Sequence, residues 1–152
     1  KAWAANTRYA DLTQELAAQK INAPSALDIA QAIIAVRQRK LPDPAHIPNC
    51  GSFFHNPIVS TEQAEQLKAA HPTLPQYPQP DGLVKLAAGW LIEQAGWKGK
   101  YLGPIGMYEK QALVLVNRGG ATGDDVKRTM AAVQADVFAK FGVALTPEPI
   151  FL

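Results

Sequence analysis

Two side chains in this 152-residue sequence stand where their neighbours could hold them still. Ser52 lies between Gly51 and the aromatic pair Phe53–Phe54. Glycine permits backbone angles closed to other residues, and two phenyl rings can anchor the loop so that the hydroxyl keeps one position. Glu148 lies between Pro147 and Pro149, whose rings fix the backbone around it. A held hydroxyl and a held carboxylate could serve chemistry, but neither residue alone names a reaction. A Gly-Ser turn pinned by core phenylalanines, and a solvated carboxylate near a chain end, account for both without any function.

Other reactive types are thinly spread. His46, His55 and His71 fall in loops with no Cys or His at ligand spacing, which argues against a metal site. No glycine-rich phosphate loop or hydrolase elbow occurs. Arg37, Arg39 and Lys40 form one basic cluster, which reads as a solvated helix end or a phosphate site. The net charge of +2 is too small to argue for nucleic acid. No apolar run approaches a membrane span and no signal peptide is visible. The single Cys50 excludes an internal disulfide and suits a reducing compartment. A first residue of Lys rather than Met points to an internal or processed start.

The elements that must position these residues are read from periodicity. Ala2 to Leu12, with Trp3, Tyr9 and Leu12, lacks helical spacing and reads as extended. Pro24–Ser25 opens a helix whose stripe is Leu27, Ile29, Ala30, Ile33, Ile34 and Arg37, and Pro42 and Pro44 end it. The spacing predicts a second helix from Ser60 or Thr61 to Ala70. His71 to Gly82, with four prolines around Tyr77, reads as a stiff polyproline-like loop without regular structure. Leu83 to Ala95 reads as one helix stopped by Gly96. Gln111 to Asn117 suits a buried strand. After the Gly119–Gly120 turn, Val126, Met130, Val133, Val137 and Phe141 form the clearest helical stripe, stopped by Gly142. Leu145 to Leu152 is extended. Strands few and short, among irregularly spaced helices, imply a small mixed α+β fold of one domain or two subdomains around polar loops.

The run Lys40-Leu41-Pro42-Asp43-Pro44 followed by Asn49-Cys50-Gly51-Ser52-Phe53-Phe54-His55-Asn56-Pro57 resembles the UDP-N-acetylenolpyruvoylglucosamine reductase family. Asp81 to Ile92, Gln111 to Asn117 and Pro147-Glu148 resemble it too, in the family's order and across nearly the whole chain. Tyr9-Ala10-Asp11-Leu12 and the stretch around Tyr77 look like its longer, type I branch. His55 stands where relatives often carry lysine, and Cys50 replaces a small residue. The resemblance places residues 1–40 at the end of a flavin-binding region, with the tyrosine loop and a connecting helix. It makes 41–152 a substrate-binding domain, with the amino-terminal flavin-binding part and its catalytic arginine lying outside the sequence.

The resemblance also implies a bacterial, cytoplasmic flavoprotein of peptidoglycan precursor synthesis. NADPH would pass hydride to FAD, and the flavin to the enolpyruvyl double bond of UDP-N-acetylglucosamine enolpyruvate, giving UDP-N-acetylmuramate. In that scheme Ser52 protonates the carbanion and Glu148 stabilises or protonates the enol. Lys40, Asn56 and Tyr9 become the first candidates for the substrate's phosphates, with Tyr77, Lys98, Arg37 and Gln111 behind them. FAD would be bound mainly outside this chain, which alone would be inactive. Two other readings stay open: a stand-alone UDP-sugar binding module without catalysis, and a structural domain in which Ser52 and Glu148 are incidental.

Overall fold

The structure, a computed structural model, describes residues 6, 7 and 9–151. Trp3 and the rest of the first five positions lie outside them. The chain divides into two compact units, one up to Leu41 and the other from Pro42.

The first unit is a helical hairpin of α1 (Ala10–Ala18) and α2 (Ala26–Lys40). The expected extended stretch up to Leu12 is corrected, because α1 starts at Ala10. Its apolar contacts are only Leu12 and Leu16, one turn apart, packed on Ala32 of α2 beside Ile21 and Ile29. Two positions are too few to show a period, but Ala, Leu, Glu and Gln favour the helix locally. Helix α2 begins where its proline-serine start implies. Ser25 Oγ accepts the Asp28 N–H and the Asp28 carboxylate accepts the Ser25 N–H at 2.8 Å, a reciprocal cap. Arg37, Arg39 and Lys40 lie against the negative end of its dipole.

Glu15 is buried on the inner face of α1 and held by the Arg39 guanidinium and by the Gln19 amide at 2.7 Å. The hydrogen bond from Arg39, then that from Gln19, holds its carboxyl below the usual range. A depressed folded value means stability that is present above the ordinary glutamate value of about 4.3 and lost as pH falls through the folded one. Urea melts followed by helical circular dichroism should therefore show stability falling on the acid side of pH 4.3. Glu15→Gln should flatten that limb, leaving the shares owed to Asp28 and Asp125, whose carboxyls the bonds from Ser25 and Thr122 also depress.

The second unit carries two antiparallel sheets. One has the order β1 (Asn49–Ser52), β7 (Val114–Asn117), β6 (Ile105–Met107), β5 (Tyr101–Leu102). The other has the order β2 (Ile58–Val59), β4 (Val84–Leu86), β3 (Gln76–Pro78). Helices α3 (Thr61–Ala70), α4 (Ala88–Gln94) and α5 (Gly123–Phe141) pack with them around Phe53, Phe54, Leu74, Leu91, Trp97 and Val137. Trp97 ties into α5 by donating Nε1–H to the Asp136 carboxylate at 2.9 Å.

The architecture is the small mixed α+β fold that the sequence implies, and α3 and α5 run as their stripes indicate. Seven strands among the described residues correct the expectation of few, although each has only two to four residues. Three further expectations change. Leu83 to Ala95 is a strand followed by a helix: Val84 and Leu86 are buried on either side of Lys85, a period of two that a longer helical period absorbed. The stretch from His71 to Gly82 contains β3. It pairs only with β4, and a proline is tolerated on such an edge because no partner needs its missing N–H. The β5–β6 hairpin was not anticipated. It closes tightly because Gly106 lies under the Tyr101 ring, where a Cβ would collide with the ring and the Lys100 carbonyl. Arg118 stacks on that ring, 3.5 Å from its centroid.

Candidate active site

Ser52 ends β1 opposite Val114, while Asn49 lies opposite Val116. Three steps along β1 thus match two along β7, so one extra residue is inserted. Gly51 supplies it with φ of +79°, a left-handed angle that costs other residues about 1–2 kcal/mol. Such a bulge changes which face the next side chain takes, and Ser52 is left exposed while Phe53 and Phe54 turn into the core. The rings meet edge to face, 5.1 Å between centroids. The anchoring that the sequence implies for the Ser52 loop is present.

The segment after Ser52 is paired on both edges. The Phe53 N–H donates to the Leu113 carbonyl at 2.9 Å. On the other side, the Glu148 N–H donates to the Phe53 carbonyl and the His55 N–H to the Thr146 carbonyl, both at 2.9 Å, with Phe54 opposite Pro147 between them. Glu148, 96 positions beyond Ser52 in the chain, is thereby fixed beside the residue that follows Ser52. Residues flanking both, namely Cys50, Phe53 and Pro149, line an apolar groove of about 280 Å³. The Cys50 thiol is pushed up by burial and, further, by the Glu148 carboxylate, so it stays protonated at neutral pH.

Asn56 closes the loop onto α4, where its Oδ1 accepts the Ala88 N–H at 2.9 Å in the first turn of a helix that has no other side-chain cap. Gln111 lies over the same turn, its Oε1 accepting the Leu113 N–H at 3.4 Å and approaching Gly89 closely. Lys98 pairs with Glu93 at 2.9 Å. Tyr77 stands on the open face of the three-stranded sheet, where it and Ile58 flank Lys85 in one cross-strand row. Lys85 is half-buried and has no ion-pair or hydrogen-bond partner among the described residues. It was missed because its signal, a position between two buried residues of a strand, vanished once the stretch was read as helix.

In the first unit, Tyr9 and Arg37 line a pocket of about 350 Å³ with Asn6, Asp11 and Leu12. Lys40 donates to the Asp11 carboxylate at 2.6 Å, which places it next to that pocket. The candidates thus gather in two sets, Tyr9, Arg37 and Lys40 on the helical hairpin and the remainder on the sheet-containing unit. Among the described residues no group of three His, Cys, Asp or Glu could hold a metal, and no helix is long and apolar enough to cross a membrane.

Comparison with known proteins shows the family of the chain. Residues 43–152 match the family described as the UDP-N-acetylenolpyruvoylglucosamine reductase C-terminal domain. The chain is 78% identical over its full length to a protein named UDP-N-acetylenolpyruvoylglucosamine reductase from Dechloromonas aromatica, of which it covers 45%. Proteins of the same name from Azoarcus sp. and Burkholderia vietnamiensis are 64% and 53% identical, again over the full length of this chain and 44% of their own. The chain spans somewhat under half the length of these relatives.

Proposed function

The chain belongs to the UDP-N-acetylenolpyruvoylglucosamine reductase family, and from that premise we propose that it is the proton-donating and substrate-binding part of a reductase acting on UDP-N-acetylglucosamine enolpyruvate. The product would be UDP-N-acetylmuramate for peptidoglycan synthesis in the bacterial cytoplasm. Residues 1–40 belong in this reading to the end of the flavin-binding region, and 41–152 are the substrate-binding domain. The observation that carries the proposal is the pairing that fixes Glu148 beside the Ser52 loop.

The glycine-led start of α5 does not fit the pyrophosphate of FAD. The glycine pair at 119 and 120 leads into α5, but Asp124 and Asp125 fill its first turn, and the N–H of Asp125 is already taken by Thr122. Two carboxylates there repel a phosphate that a bare helix N-terminus would attract. FAD is assigned mainly to the part of the longer protein outside this sequence, and when bound it would supply hydride received from NADPH. The chemistry left to this chain is protonic.

Hydride addition to the terminal enolpyruvyl carbon leaves negative charge on the carbon beside the substrate carboxylate. Ser52 donates its hydroxyl proton to that carbon. A serine hydroxyl is a poor acid, so the transfer requires a strongly basic carbanion in a site that excludes water. The buried phenylalanines and the Gly51 bulge hold the hydroxyl in place for it. Glu148 stabilises or protonates the enol form. Tyr9, Lys40, Asn56, Tyr77, Lys98, Arg37 and Gln111 hold the substrate, the cations taking its diphosphate. Asn56 does so through its amide nitrogen, since its oxygen is committed to Ala88. The test is stopped-flow absorbance on the full-length reductase. NADPH should bleach the flavin, and UDP-N-acetylglucosamine enolpyruvate should restore its colour. A reduced enzyme that the enolpyruvyl compound leaves bleached would overturn the proposal.

A further inference from the structure

Glu148 needs a fixed direction as well as a fixed backbone. Its side chain is 42% exposed, and a carboxylate on an exposed chain samples several rotamers unless something holds it. One basic side chain among the described residues lies within ion-pair distance of it. His55 Nδ1 lies 3.7 Å from Glu148 Oε1. The contact is built into the fold: Phe54 faces Pro147, so His55 and Glu148 sit diagonally across two paired segments, on the same face. The other titratable neighbour, Cys50 on β1, stays protonated and contributes no charge. His55 has no other ion-pair or hydrogen-bond partner for its side chain among the described residues.

We infer that His55 is a positioning residue for Glu148, whose protonated imidazole tethers the carboxylate toward the Ser52 loop and makes the proton-donating step depend on pH. The inference rests on the role given to Glu148 in the proposed function. An imidazole can lose its charge within the range over which an enzyme is assayed, whereas a lysine keeps its charge throughout that range. The step that discharges the reduced flavin into the enolpyruvyl substrate should therefore slow as pH rises and the imidazole loses its proton. An exposed ion pair limits the size of the effect to about fivefold.

The experiment follows flavin reoxidation by UDP-N-acetylglucosamine enolpyruvate in the full-length reductase from pH 5.5 to 9. His55→Gln should remove that pH-dependent limb and lower the rate at the acid end of the range by about three- to fivefold, leaving flavin reduction by NADPH and KM for the substrate unchanged. His55→Lys should restore the rate and hold it flat up to about pH 9, because its charge persists. Glu148→Gln should itself be slow, and adding His55→Gln to it should change nothing more. A slow Glu148→Gln beside a wild-type pH profile in His55→Gln would overturn the inference alone. A Glu148→Gln variant as fast as wild type would overturn the reading of Glu148, and this inference with it.

Discussion

Replacing Ser52 with alanine should leave flavin reduction by NADPH close to normal in the full-length reductase, and should slow reoxidation by the enolpyruvyl substrate by about 10²- to 10⁴-fold, the usual worth of a positioned proton donor. The asymmetry follows from where the hydroxyl sits. Ser52 is exposed at the end of β1, and no partner among the described residues uses its side chain, so removing one oxygen disturbs no packing. Only the step that needs a proton at substrate carbon loses anything. Stopped-flow absorbance separates the two half-reactions, and equal slowing of both would show that Ser52 supports binding or structure instead of proton transfer.

The second large effect is on stability. Phe54 is fully buried, its ring packs edge to face on Phe53, and its backbone lies opposite Pro147. Truncation leaves a cavity at the point where the Ser52 loop, β7 and the final segment meet. Phe54→Ala should cost about 3–5 kcal/mol in urea unfolding of this chain. Phe138, 59% exposed on α5, is the control: Phe138→Ala should stay within about 0.5 kcal/mol of wild type. Similar values for the two would mean that the Phe54 ring does not anchor the loop.

How much of this was readable beforehand depended on whether a local signal matched the final environment. Helices α3 and α5 were legible because a cap and an apolar stripe agree in each, whereas α2 was legible from its cap alone: Leu27, Ile33 and Ile34 of its expected stripe are exposed, and Ala32, outside that stripe, is the buried residue. Helix α1 has just two apolar contacts, and β4 is three residues long and runs almost directly into α4, so no period could develop in either. Strand β3 is concealed by proline, which is permitted there only because a neighbouring strand exists on one side alone, a fact of topology and not of composition. At the site, Ser52 and Glu148 were singled out by the glycine, aromatic and proline residues around them. Their proximity was not readable, since nothing local says that residue 148 pairs with residue 53. The use of the Asn56 oxygen at α4 and the unpaired state of Lys85 belong to the same class, because both depend on contacts between distant segments.

The pairing of Thr146 and Glu148 with the Ser52 loop also bears on solubility. These late residues cover one edge of that loop, occupying the Phe53 carbonyl and the His55 amide. Were they peeled away, both groups would point outward from an extended backbone beside the apolar groove, which is how a strand recruits a foreign one. Docking of this segment therefore keeps both groups out of reach of a foreign strand, besides bringing a carboxylate to the loop.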